Sequence, residues 1–153
     1  MADEPDPRWI FYLCISGQGR KTYTGVTTNP ERRLRCHRGE IKNGARWPLS
    51  WRDGVFYALY IKGLGTKRRT MSFEAHTKKR MRKKKLDAEF RCWLKYIESK
   101  YNKKFPRHGV IYRILTIMHV LTLPKWRDAN LEVLWFHKKD VYQELERYRG
   151  ECL

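Results

Sequence analysis

Paired cysteines are missing from this chain of 153 residues. Its four, Cys14, Cys36, Cys92 and Cys152, stand far apart, with no C-x-x-C and no histidine at finger spacing. That argues against both a disulfide framework and a zinc module. Long apolar runs are missing as well, and none approaches the roughly 20 residues that cross a bilayer. The opening "MADEPDPRW" is acidic and contains proline, unlike the basic region and apolar core of a secretory signal. The expected setting is intracellular and reducing, with no membrane. There is no internal repeat and no low-complexity linker, so this length predicts one domain around one hydrophobic core.

Acidic residues are scarce. Sixteen Asp and Glu stand against 34 Lys and Arg, a net of +18. Residues 18–113 carry 27 basic and 7 acidic side chains, whereas residues 114–153 carry 6 of each. A polyanion-binding face is therefore expected in the middle of the chain, and the C-terminal quarter is expected to do something else. With 41% apolar residues, six Trp, nine Tyr and six Phe, the chain is not a disordered basic tail.

"WIFYLCI" (9–15) reads as a buried strand, "SGQGRK" as a turn and "TYTGVT" as the second strand of a hairpin. Asn29 and Pro30 open a helix, Asn29 capping free N–H groups and Pro30 occupying the first helical position. That helix is expected to reach about Ile41 and to stop at Asn43 and Gly44. A loop anchored by Trp47 and Trp51 follows. "GVFYALYIKG" (54–63) is a third, central strand, with Val55, Tyr57, Leu59 and Ile61 on one face and Phe56, Ala58 and Tyr60 on the other. Residues 67–85 read as a basic helix with Phe73, Thr77 and Met81 as its inward stripe. Residues 86–101 form an amphipathic helix that buries Phe90, Trp93, Leu94 and Ile97. The run 109–124 reads as a buried helix, with its β-branched content leaving a strand open. "LEVLWF" is a short apolar stretch before a final polar helix, "DVYQELERYR". Together these predict a flexible acidic terminus (1–8), a core (9–85) and a helical extension (86–153) packed on it as one unit.

"FYLC", "YTG" about ten positions later, "NPERRLRCH" and "FE" on a later helix resemble the GIY-YIG nuclease superfamily. Ile10, Phe11 and Tyr12 stand for its first tripeptide, with Ile10 in place of the glycine, and Tyr23, Thr24 and Gly25 for its second. "NPERRLRCHRGEIKNGARW" and "ILTIMHVLTLPKWRDANLEVLWF" are similar to the nuclease part of the Slx-type structure-selective endonuclease subunit, across about residues 9–140. The resemblance implies an α/β (α+β) fold, a small three-stranded mixed or antiparallel sheet flanked by helices, with extra C-terminal helices. It implies Mg²⁺-dependent nicking of branched DNA such as flaps, forks and Holliday junctions, with Mn²⁺ able to substitute, in DNA repair or recombination. That family continues into a RING-like zinc domain, which docks a scaffold protein. These residues contain no counterpart of it, so no structural zinc is expected, and a scaffold partner stays open only without its usual docking domain.

Phosphodiester hydrolysis needs an activated water, charge stabilisation and help for the leaving oxygen. Glu74, the lone acid between Asp53 and Asp87, is the candidate metal ligand, since Mg²⁺ is satisfied by one carboxylate plus water and phosphate. Its bland alternative is a helix-face pair with Lys78. Arg33 and His37 lie four apart on one helix face, Arg33 to fork onto the scissile phosphate and His37 to orient a tyrosine or relay a proton. The resemblance assigns Tyr12 and Tyr23 to positioning or deprotonating water, and nearby cations should favour their ionised forms. Arg32, Arg35, Arg38, Lys42, Arg46, Arg68, Arg69, Lys78, Lys79 and Arg82 are expected to face outward as phosphate contacts, which carry no sequence information. "KKRMRKKK" also fits a nuclear-import signal. Two alternatives stand beside the branched-DNA reading: a sequence-reading nuclease of restriction or homing type, disfavoured by the lack of a recognition module, and a basic binding module without catalysis, disfavoured by the joint presence of the five candidate residues.

Overall fold

The computed structural model describes residues 3–79, 84–107, 109–127 and 129–136. Ten elements follow in order: β1 (Ile10–Ser16), β2 (Thr22–Thr27), α1 (Pro30–His37), α2 (Arg46–Leu49), β3 (Val55–Lys62), α3 (Lys67–Lys79), α4 (Lys84–Tyr101), α5 (Gly109–Thr122), α6 (Pro124–Arg127) and β4 (Glu132–Trp135). The strands form one antiparallel sheet in the order β2-β1-β3-β4. This corrects the expected three strands to four. Four residues are too few to show alternation, and what makes "EVLW" a strand is the free edge of β3 beside it.

Every residue of β1 is buried because both faces of the sheet are covered. On one face Phe11, Leu13, Ile15, Leu59 and Ile61 join Phe73 of α3, Phe90, Leu94 and Ile97 of α4, Ile114 and Met118 of α5, and Trp126 of α6. On the other, Ile10, Tyr12, Cys14, Val55, Tyr57 and Trp51 form a smaller cluster, with Tyr23, Leu34 and Tyr60 against it.

Between these two clusters β3 changes face. Leu13 opposes Leu59 while Cys14 opposes Tyr57, which leaves Ala58 as an extra residue. Such a bulge shifts the alternation by one. Val55 and Tyr57 therefore lie with the small cluster and Leu59 and Ile61 with the large one, correcting the expected single face for all four.

Asn29 caps α1 as expected, its side chain accepting from Arg32 N–H at 3.1 Å, with Pro30 in the first turn. The helix ends at His37, four residues short of the expected stop. Gly39, at φ +79°, closes it: Gly39 N–H bonds to Cys36 C=O and Glu40 N–H to Arg35 C=O. The stripe of α3 is Thr70, Phe73 and Thr77, all fully buried. The expected Met81 and the final polar helix lie outside the described residues. The run 109–124 resolves as helix over 109–122, ended by Pro124. Among the described residues no helix is long and apolar enough to cross a membrane.

Candidate active site

Four of the five expected catalytic residues converge under α1. Tyr12 on β1 faces Gly25 on β2 directly across the ladder. A Cβ at residue 25 would sit 2.2 Å from the Tyr12 hydroxyl and 2.5 Å from its ring carbon, so only glycine lets the phenol lie flat over β2. The ring then reaches α1, where Tyr12 Oη lies 2.8 Å from His37 Nε2 in a buried hydrogen bond. Tyr23 packs edge-on against the same imidazole at 5.1 Å between centroids.

Arg33, one turn before His37, reaches the Tyr12 phenol and donates from Nη1 to Asn43 C=O at 2.8 Å. Asn43, at φ +79°, is the turn that delivers this carbonyl, and Gly44 lets the loop close onto α1, since a Cβ there would meet Cys36 C=O at 2.1 Å. The Asn43–Gly44 pair, read from sequence as a helix stop, therefore serves as the anchor of Arg33.

Burial sets the protonation states. It pushes the Tyr12 phenol well above its ordinary range, with Arg33 opposing only in part. A favoured phenolate, expected from the surrounding cations, is overturned here, because removal from water outweighs one guanidinium. Burial, assisted by the Arg33 charge, lowers His37 to about 4. Both groups are neutral at pH 7, and because Arg33 can only donate to the phenol oxygen, the arrangement that uses the phenol proton has Tyr12 O–H donating to Nε2. The imidazole proton then sits on Nδ1, a buried atom with no partner in the described protein. Tyr12 is 1% exposed and Tyr23 half-buried, so of the two Tyr23 is nearer to solvent.

Glu74 stands apart from the four. It lies on α3, which packs on the opposite face of β1 through Phe73, whose ring meets Phe11 at 5.1 Å. Its Oε1 pairs with Lys78 Nζ at 2.5 Å, the bland alternative read from sequence. Its side chain is 17% exposed, and among the described residues no three metal-ligating side chains converge. Among the described residues its second oxygen has no partner, and a sheltered carboxylate of this kind could serve a divalent ion that takes its other positions from water and phosphate.

The basic side chains divide. Arg32, Lys42, Arg46, Arg68 and Lys78 are exposed. Arg35 pairs with Glu40 at 3.2 Å, Arg38 donates from Nε to Val55 C=O at 2.8 Å, and Arg69 lies over Trp126. The Lys79 side chain and Arg82 fall outside the description. Sequence reasoning missed Tyr57, which donates to Pro30 C=O at 2.7 Å and packs its ring on Tyr12 at 5.3 Å, holding helix and phenol together. The signal was present as the two tyrosines of β3, Tyr57 and Tyr60, but the bulge hid their shared face.

The GIY-YIG catalytic domain matches residues 8–87, just over half of the chain. A protein from Cryptosporidium parvum (strain Iowa II), described as a structure-specific endonuclease subunit SLX1 homolog, is 26% identical over 136 residues, which is 84% of this chain and 32% of that protein. The chain thus spans about a third of the length of the curated relative it matches. With Tyr12, Gly25, Arg33 and His37 assembled around one buried hydrogen bond, and with the catalytic domain matched across them, the chain belongs to the GIY-YIG family.

Proposed function

We propose that this protein is a divalent-metal-dependent DNA endonuclease that nicks branched DNA. The observation that carries the reading is the buried Tyr12–His37 bond with Arg33 beside it, since packing alone does not require a histidine, a phenol and a guanidinium together. Glu74 would hold the ion, which when bound lowers the charge of the phosphate and assists the leaving oxygen. Arg33 supplies positive charge to a phosphate lying at the Tyr12–His37 pair. That anion offsets the Arg33 charge, the lesser of the two causes that lower His37, and so makes the imidazole a better proton acceptor in the complex. Tyr12 can then pass its proton to Nε2 while taking one from water, and the more accessible Tyr23 positions that water.

Branch selectivity is supported by the similarity to the structure-specific endonuclease subunit homolog and by a basic surface of phosphate-type contacts that carries no sequence information. A DNA-associated, nuclear location and a scaffold partner belong to the same reading. The test incubates the protein and Mg²⁺ with labelled 5′ flap, fork, four-way junction and linear duplex, beside Glu74→Gln. Nicks near the branch points, a spared duplex and a variant that binds without cutting are expected. Binding without cleavage by the wild type would sink the enzyme reading, and cutting duplex at one fixed sequence would favour a restriction-type enzyme.

A further inference from the structure

A groove of about 500 Å³ opens where α1 ends and β3 begins. Phe56, Tyr57, Tyr60 and Phe136 wall it, with Leu34 and Arg38 on the helix side. Phe56 and Phe136 are 46% and 49% exposed, a pair of large rings left in water beside the site. Both are held in place. The Arg38 guanidinium lies 5.3 Å over the Phe56 ring while its Nε holds Val55 C=O. Phe136 N–H donates to Ala58 C=O at 3.0 Å, and its ring lies 4.3 Å from that of Tyr60. Tyr60 meets Tyr57 at 4.8 Å and Tyr57 meets Tyr12 at 5.3 Å, so rings run without a break from the groove to the Tyr12–His37 pair.

We infer that this groove takes one unpaired nucleobase of the DNA substrate, stacked against Phe56 and Phe136 beside Arg38. The inference rests on the branched-DNA reading and deepens it, naming what is recognised at a branch. A base offers a flat π-face that matches aromatic rings and a guanidinium plane, and it can offer that face only where it is unpaired. Charge favours this occupant over an apolar protein segment. Among the described residues the one charged side chain that lines the groove is the cation Arg38, so a strand carrying phosphates gains from it as well as from the rings. The Tyr57 hydroxyl is engaged by Pro30 and serves as wall, whereas Tyr60, which burial keeps protonated by raising it to about 12, brings a hydroxyl for a base edge. Because every base has a π-face, the preference is for unpaired residues and not for a sequence.

The test uses the full chain in the Glu74→Gln background and a 5′ flap with 2-aminopurine at successive unpaired positions from the branch. Fluorescence is expected to fall several-fold on binding at one position. In Phe56→Leu/Phe136→Leu, which keeps apolar bulk without a ring, that fall should vanish and the flap-to-duplex affinity ratio should drop roughly tenfold, the scale of losing one stacked base. Quenching at no position, an unchanged signal in the variant, or equal loss on flap and duplex would each overturn the inference. If wild type still cuts flaps in those cases, the nuclease reading stands alone. If it neither binds nor cuts branched DNA, both fall.

Discussion

At Gly25 a single hydrogen atom in place of a side chain decides whether Tyr12 reaches His37. Gly25→Ala should leave β2 paired yet push the phenol off Nε2, and a displacement near 1 Å is enough to lose about 10²-fold in rate. Single-turnover nicking beside a circular dichroism spectrum checks this, and a variant with near-wild-type turnover would refute the role given to the close approach. His37 yields a pH prediction. In the folded chain it gains a proton only near pH 4, against 6.5 for an unperturbed histidine. Between those values the unfolded chain binds more protons, so stability is full above about pH 6.5 and falls as pH drops toward 4. The melting temperature of wild type should therefore fall more from pH 7 to pH 4 than that of His37→Gln. Parallel curves would remove His37 from the acid response.

On the scale of elements, α1 is the part whose placement matters most, because it carries Arg33 and His37 together. Its start is set by Asn29 and by the Tyr57 hydroxyl on Pro30 C=O, and its end by Gly39. Asn29→Ala removes the acceptor for Arg32 N–H and should cost about 1 kcal/mol in urea unfolding. A change under about 0.3 kcal/mol would show that the cap is redundant with Tyr57. On α3, Phe73 sits between Phe11 and Trp126, each 5.1 Å away, directly before Glu74. Phe73→Ala should cost roughly 3–5 kcal/mol and loosen the carboxylate with the helix. The cap, the proline and the buried stripe were legible because they are local signals. The true end of α1 was missed because Gly39 outcompeted the Asn43–Gly44 pair two residues before Ile41.

For the whole molecule, two apolar clusters lie on opposite faces of the sheet beneath a basic surface. The segments from α3 onward cover one face of the sheet and α1 and α2 the other, and basic side chains coat the outside of both layers. Duplex affinity should then be strongly salt-dependent, with log K against log salt falling at a slope of about −4.5 if about five phosphates are engaged. Arg32→Ala and Lys42→Ala should each make that slope shallower by about 0.9. A slope near zero would mean that the positive charge serves something other than a polyanion.

The residue string by itself determined the strands of the hairpin, the helix start at Asn29 and Pro30 and the amphipathic helices, because these follow from neighbours a few positions apart. Only the tertiary structure decided the fourth strand, the bulge at Ala58, the service of Tyr57 to both Pro30 and Tyr12, and the neutral state of the buried pair. Each of those depends on a free edge, a close approach or a loss of water that arises between segments tens of residues apart, where no local pattern records it.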